Sequence, residues 1–151
     1  MTEVAVNATI SRFGYPDTLV SESEHWVVLV RPDQPTLGSL ILAAKSEATA
    51  FADLSPAAFA DLGEMIARVE RMLRATIAPD KINYLMLMMA DPHVHFHVLP
   101  RYEGERSFQG MRKEDEGWPK VPLLTPALTL DSGQIQAMVD WMAGASNDRF
   151  V

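Results

Sequence analysis

Apolar and polar residues along the chain alternate with two different periods, and the switch between them marks its elements. In "TLVSESEHWVVLVRP" the β-branched run from His25 to Arg31 predicts a strand that Pro32 stops. "RPDQPTLG", with two prolines and a glycine, predicts a loop. "GSLILAAK", Gly38 to Lys45, predicts a second, mostly buried strand. The period then lengthens. Ser55 followed by Pro56 marks a helix start, a serine N-cap with proline in the first turn. Beyond it Phe59, Leu62, Ile66, Val69, Leu73 and Ile77 recur at steps of three and four, while Asp61, Glu64, Arg68, Arg71 and Arg74 fall largely on other faces. This predicts an amphipathic helix to about Ala78, closed by Pro79, with Met65 and Met72 filling the core.

"KINYLMLMM" predicts a third strand, apolar on both faces, and "HVHFHVLPRY" a fourth. Only Ala90, Asp91 and Pro92 separate them, which suits an antiparallel hairpin with a short turn. Gly104 to Pro126 reads as irregular. In the tail, Ile135, Met138, Val139 and Met142 have helical spacing and predict a shorter helix capped by Asp131 or Ser132. No repeat appears, nor a linker long enough to divide the chain. The expectation is one α+β domain over residues 1–151, mainly antiparallel, with one long helix and one short C-terminal helix.

Composition narrows the class. With 48% hydrophobic and 22% charged residues the chain is expected to fold. It has no apolar run near the roughly 20 residues that span a bilayer, and "MTEVAVNATISRFGYPD" lacks the basic start and apolar core of a secretory leader. No membrane partner and a cytoplasmic residence are therefore expected. The absence of cysteine excludes disulfides, thiolate metal sites and cysteine nucleophiles. A formal net charge of −7 argues against a nucleic acid polymer as partner, because phosphate neutralisation needs a basic surface. A phosphate compound would need a locally positive site, and the acidic remainder would repel long polyanions more than small ones.

Three of the four histidines, His93, His95 and His97, fall within "DPHVHFHVLPR". Side chains alternate along a strand, so the three share one face and Val94, Phe96 and Val98 the other. The apolar row should face the core. Three readings of the imidazole row are open. It could be a set of satisfied histidines. It could be a metal site using two of them; a flat row spreads the outer two α-carbons about 13 Å apart, and zinc wants nitrogens about 2 Å away. Or it could be a nucleophile acting at phosphorus. Neutral imidazole attacks well near neutral pH, a backbone carbonyl can fix its other nitrogen as the protonated one, and a flanking histidine can serve the phosphate oxygens.

His93-Val94-His95-Phe96-His97-Val98-Leu99 resembles the signature of the histidine triad (HIT) family, and Pro100-Arg101 is similar to its hydrolase branch. "WVVLVRPDQPTLGSLILAAK" looks like the family's paired strands around the nucleotide pocket, and "LSPAAFADLGEMIARVERML" sits where its long helix follows. The resemblance covers about residues 12–102 and leaves 103–151 as a C-terminal extension. It implies an antiparallel sheet packed on a long helix. It also implies a homodimer that cleaves small nucleotide conjugates, such as dinucleoside polyphosphates or adenylated amines and acids, at the α-phosphate. His95 would be the nucleophile that takes the nucleotidyl group. His97 would contact the α-phosphate and the departing oxygen, and His93 would position His95. Leu29 and Ile41 match base-pocket positions, and Arg31 falls where relatives bond the ribose. Gly38 and Ser39 form the pocket turn. Asp91 is the one polar side chain of the loop before the triad, and Arg101 could be a surface charge or, beside the triad, could screen phosphate charge.

The chain departs from relatives in several places. Ser39 follows the pocket glycine where some carry a histidine, and Ser46 and Glu47 stand where others carry a fourth. Arg31 replaces a common Asn or Asp. "GWPK", Gly117 to Lys120, is similar to a tryptophan-proline segment near the leaving-group side of some relatives, although Trp118 also suits a surface turn. The motif requires no cofactor or resident metal; magnesium could arrive with a polyphosphate. Two other functions stay open: a nucleotide-sensing module without turnover, and a zinc enzyme using two triad histidines.

Overall fold

The computed structural model describes residues 5–146. The chain runs through α1 (Ala8–Arg12), β1 (Leu19–Glu22), β2 (Trp26–Val30), β3 (Asp33–Gln34), β4 (Leu40–Ala44), a 3-10 turn (Phe51–Asp53) and α2 (Pro56–Thr76). It continues through β5 (Lys81–Leu85), β6 (His95–Arg101), β7 (Glu105–Phe108), β8 (Met111–Glu114), β9 (Leu128–Thr129) and α3 (Ser132–Ser146). Five strands form one antiparallel sheet in the order β1-β2-β4-β6-β5. The short pairs β3–β9 and β7–β8 stand outside it.

β2 and β4 are apolar at every position because both sheet faces are covered. On one face Trp26, Val28, Val30, Leu40, Leu42, Ala44, Val94 and Val98 pack beneath α2 and α3. On the other, Val27, Leu29, Ile41 and Ala43 pack beneath Ile10 of α1, with Val6, Phe13, Tyr15 and Leu19 around them. The expected division of the triad strand holds: Val94, Phe96 and Val98 belong to the helix-covered core, and His95 and His97 lie on the opposite face.

The long helix begins as the sequence predicts. Ser55 Oγ accepts the Ala58 backbone N–H at 3.1 Å, and Pro56 occupies the first position. Ala58, Leu62, Met65, Val69, Met72 and Leu73 form its buried stripe. Phe59 lies at the margin, 40% exposed, with its ring against Phe51. Of the two caps considered for α3, Asp131 is the one used. Its carboxylate accepts the Gln134 N–H at 2.8 Å, and Gln134 Oε1 accepts the Asp131 N–H at 3.0 Å. The two groups thus satisfy each other's orphan donors.

Four expectations need correction. The strand predicted over "KINYLMLMM" ends at Leu85, and residues 86–94 form a loop; Met88 takes φ +51°, which an extended strand cannot continue through. β5 and β6 are antiparallel neighbours as expected, but the connection is longer than a short turn. Residues 104–126 are not wholly irregular. β7 and β8 pair as a hairpin whose two-residue turn, Gln109 at φ +48° and Gly110 at φ +82°, has the doubly positive φ that a tight hairpin favours. The loop "RPDQPTLG" contributes β3, paired with β9 near the end of the chain. Gly38 within it has φ +90°, and a Cβ there would stand 2.5 Å from Ile77 Cγ1.

Candidate active site

Cross-strand register assembles the site. Leu29 pairs with Ile41, Ile41 with His97 and His97 with Leu85, so these four side chains form one rung. Val27, Ala43 and His95 form the next. The imidazoles therefore continue the apolar floor of Leu29 and Ile41.

That floor is not open. It is covered by α1, which the sequence did not predict. Asn7 caps α1 by accepting the Ile10 N–H at 3.0 Å, and its amide donates to Ala44 O and Ser46 O, each at 2.9 Å. This stitches α1 to the end of β4. Ile10, Leu29 and Ile41 are each 0% exposed, and His95 is 1% exposed. The Phe13 ring lies 5.6 Å from that of His95 and 6.0 Å from that of His97. At the rim Arg12 pairs with Asp91 at 3.2 Å.

Each imidazole is held by its inner nitrogen. His95 Nδ1 lies 2.7 Å from the His93 carbonyl, which can only accept, so the proton sits on Nδ1 and the lone pair on Nε2. Arg31 Nε donates to His97 Nδ1 at 3.3 Å, so His97 carries its proton on Nε2. The two rings are 5.0 Å apart between centroids. Among the described residues no fully buried side-chain nitrogen or oxygen lacks a hydrogen-bond partner. Neither His95 Nε2 nor His97 Nε2 has one, so both reach solvent despite the roof. His93 precedes β6. Its Nδ1 lies 2.9 Å from Thr9 Oγ1 and its Nε2 3.2 Å from Glu47 Oε1.

Burial lowers the His97 pKa to about 4, helped by the cationic Arg31 and by His95. The group is thus neutral in the fold where an unfolded chain would protonate it, between about 4 and the reference value near 6.5. The unfolded state binds the extra proton in that window. The stability His97 provides by staying neutral is complete above about pH 6.5 and is lost as pH falls through the window, on the order of 2 kcal/mol after allowance for solvent screening. The Arg31→Met variant should raise the His97 midpoint by roughly one unit, leaving the burial effect in place. Titration of the His97 ring protons by NMR checks this, and an unchanged midpoint would refute the proposed influence of Arg31.

The remaining sequence-predicted residues divide. Arg31 lies at the triad, bonded to His97 and, through Nη1, to Asp33 O at 2.5 Å. Asp91 is engaged by Arg12. Gly38 and Ser39 serve the turn: Gly38 N–H donates to Gln34 Oε1 at 2.7 Å, and Ser39 Oγ donates to Thr36 O at 2.7 Å. Arg101 is already engaged within the protein. It is 3% exposed, and it donates to both carboxylate oxygens of Asp115, to Asn83 Oδ1 and to Lys120 O. Trp118 lines a cavity of about 480 Å³ with Lys81, Asn83, Arg101 and Leu85, the cross-strand neighbour of His97. The sequence reading missed Thr9, Ile10, Phe13 and the contact of Glu47. The one local signal was Asn7 as a helix cap before Ile10.

A sheet packed on one face against the two longer helices, with a cluster of tethered imidazoles beneath the short α1 on its other face, defines an α+β protein built around a strand-borne histidine site. A model of the HIT domain matches residues 12–104, and the chain belongs to that family. No curated protein matches it. A histidine triad protein from Bradyrhizobium japonicum is 21% identical, with a TM-score of 0.71, over 93% of this chain and 96% of that one. One from Sinorhizobium meliloti is 19% identical, with a TM-score of 0.72, over the same shares of 93% and 96%. A diadenosine triphosphate hydrolase from Plasmodium falciparum, solved with cyclomarin A, is 10% identical with a TM-score of 0.64, over 90% of this chain and 80% of that one. At such identities the likeness speaks for the fold alone. No helix among the described residues is long and apolar enough to cross a membrane.

Proposed function

We propose that the chain is a nucleotidyl hydrolase or transferase that cleaves small nucleotide conjugates at the α-phosphate through a covalent intermediate on His95. The observation that carries this reading is the bond from His95 Nδ1 to the His93 carbonyl, which leaves Nε2 with a lone pair at the solvent-reaching edge. In the first step Nε2 bonds to phosphorus and the bond to the leaving group breaks, its electron pair departing with that group. In the second, water attacks phosphorus, the P–N bond returns its pair to Nε2, and the water's proton passes to solvent. His97, neutral and filled at Nδ1 by Arg31, has a hydrogen bond to give and no spare proton. That suits leaving groups that depart as stable anions, nucleoside phosphates or carboxylates, better than amines.

Leu29 and Ile41 would receive the base once Ile10 and Phe13 shift, and Arg31 would supply the positive charge a phosphate needs in an acidic protein. Magnesium would enter on the polyphosphate oxygens. The reading includes residence in the cytoplasm and a homodimer. β5 is an edge strand, and Leu87 and Met89 just beyond it are 46% and 85% exposed.

The test is brief exposure to diadenosine triphosphate, a quench that avoids acid, and mass spectrometry. An AMP-sized adduct is expected on His95, with AMP released on longer incubation. Absence of both overturns the reading. The roofed pocket favours one alternative, a nucleotide-binding module without turnover; saturable binding with no AMP would select it.

A further inference from the structure

α1 does more than cover the floor. Thr9 is 1% exposed, and its hydroxyl meets His93 twice, accepting the backbone N–H at 3.3 Å and lying 2.9 Å from ring Nδ1. A threonine hydroxyl has one proton to give. Glu47 Oε1 stands 3.2 Å from His93 Nε2, where a bare lone pair would face a negative oxygen. In the neutral ring the proton therefore belongs on Nε2, and the hydroxyl proton of Thr9 goes to Nδ1. His93 lies ahead of β6, outside the strand ladder, yet its carbonyl holds the Nδ1 proton of His95 at 2.7 Å. On the far side of that carbonyl the same peptide is fixed by Val94 N–H donating to Ala48 O at 3.1 Å. Thr9 closes the near side. Glu47 is 79% exposed at its side chain, so its hold is the weaker one.

We propose that Thr9 is a positioning residue for the reaction: its hydroxyl locks the His93 ring with its proton toward Glu47 and steadies the carbonyl that selects the reactive tautomer of His95. The inference rests on the reading of His95 as nucleophile and extends the catalytic unit to a residue that precedes the matched family region.

The test compares Thr9→Val, which keeps the shape and removes the hydroxyl, with Thr9→Ser, which keeps the hydroxyl. Long-range proton–nitrogen spectra report the tautomer of each imidazole without any substrate. In the native chain His93 should be protonated at Nε2 and His95 at Nδ1. Thr9→Val should leave His93 as a mixture and lower the Nδ1-protonated share of His95. It should also reduce kcat on diadenosine triphosphate about tenfold with KM changed less than about twofold. Thr9→Ser should restore both. A purely structural Thr9 would lower Tm in the valine variant but leave both tautomers, and kcat per folded molecule, unchanged; that result overturns the proposal. Should Thr9→Val fail to fold, Thr9→Ala gives the same readouts. If the native chain releases no AMP, the nucleotidyl reading fails by itself. The spectra then still decide whether Thr9 sets the tautomers.

Discussion

His95→Asn is expected to lower turnover of a nucleotide conjugate by about 10⁴-fold or more while the chain stays folded. The effect is large because no other group in the site is arranged to attack. His97 has its Nδ1 occupied by Arg31 and its Nε2 protonated, and His93 is held by Thr9 and Glu47. Asparagine is the informative substitute because His95 is 1% exposed. Its amide can still donate to the His93 carbonyl. His95→Ala, harmless on an open strand face, would here leave a void beneath Phe13 and cost about 1–3 kcal/mol. Initial rates with circular dichroism on the same preparation check both statements. A folded His95→Asn protein that turns over at the native rate would remove the nucleophile from the mechanism.

The second large effect concerns stability. Asp115→Ala should cost about 3–5 kcal/mol, read from the urea midpoint, because it strands a buried guanidinium. The Arg101 and Asp115 side chains are 4% and 1% exposed, joined at 2.7 Å through Nε, with a second contact at 3.1 Å through Nη2. Asp115 also accepts the backbone N–H groups of Tyr102 and Gly117. Arg101 is thereby an anchor for the C-terminal part of the chain. A loss below about 1 kcal/mol would refute that anchoring role.

The features legible in the sequence were those with a local physical signature. Alternation from His93 to Val98 assigned the faces of β6, and the apolar stripe from Leu62 to Leu73 with Ser55 as cap gave α2. Leu29 and Ile41 were named only through the family resemblance; the strand register that puts them in line with His97 had no signal in the sequence. The features that were not legible depend on distant partners or on too few residues. α1 has five residues, less than two turns, so no period can announce it; what holds it is Asn7 reaching the end of β4. Nothing in "LMLMM" marks Met88 as the point where the strand stops. The partner of Arg101 is 14 positions away and beyond a hairpin, so sequence proximity to His97 was a poor guide to what it touches. The Gln109-Gly110 turn, by contrast, carried a local signal in its glycine that the irregular reading passed over.

Both decisive tethers fall outside the stretch that carries the family resemblance. Thr9 precedes residues 12–104, and Asp115 follows them. A fragment trimmed to those limits would lose Ile10 from the cover over Leu29 and Ile41 and leave a guanidinium without its counter-ion. The contacts that complete this fold thus reach beyond both ends of the region by which it is recognised.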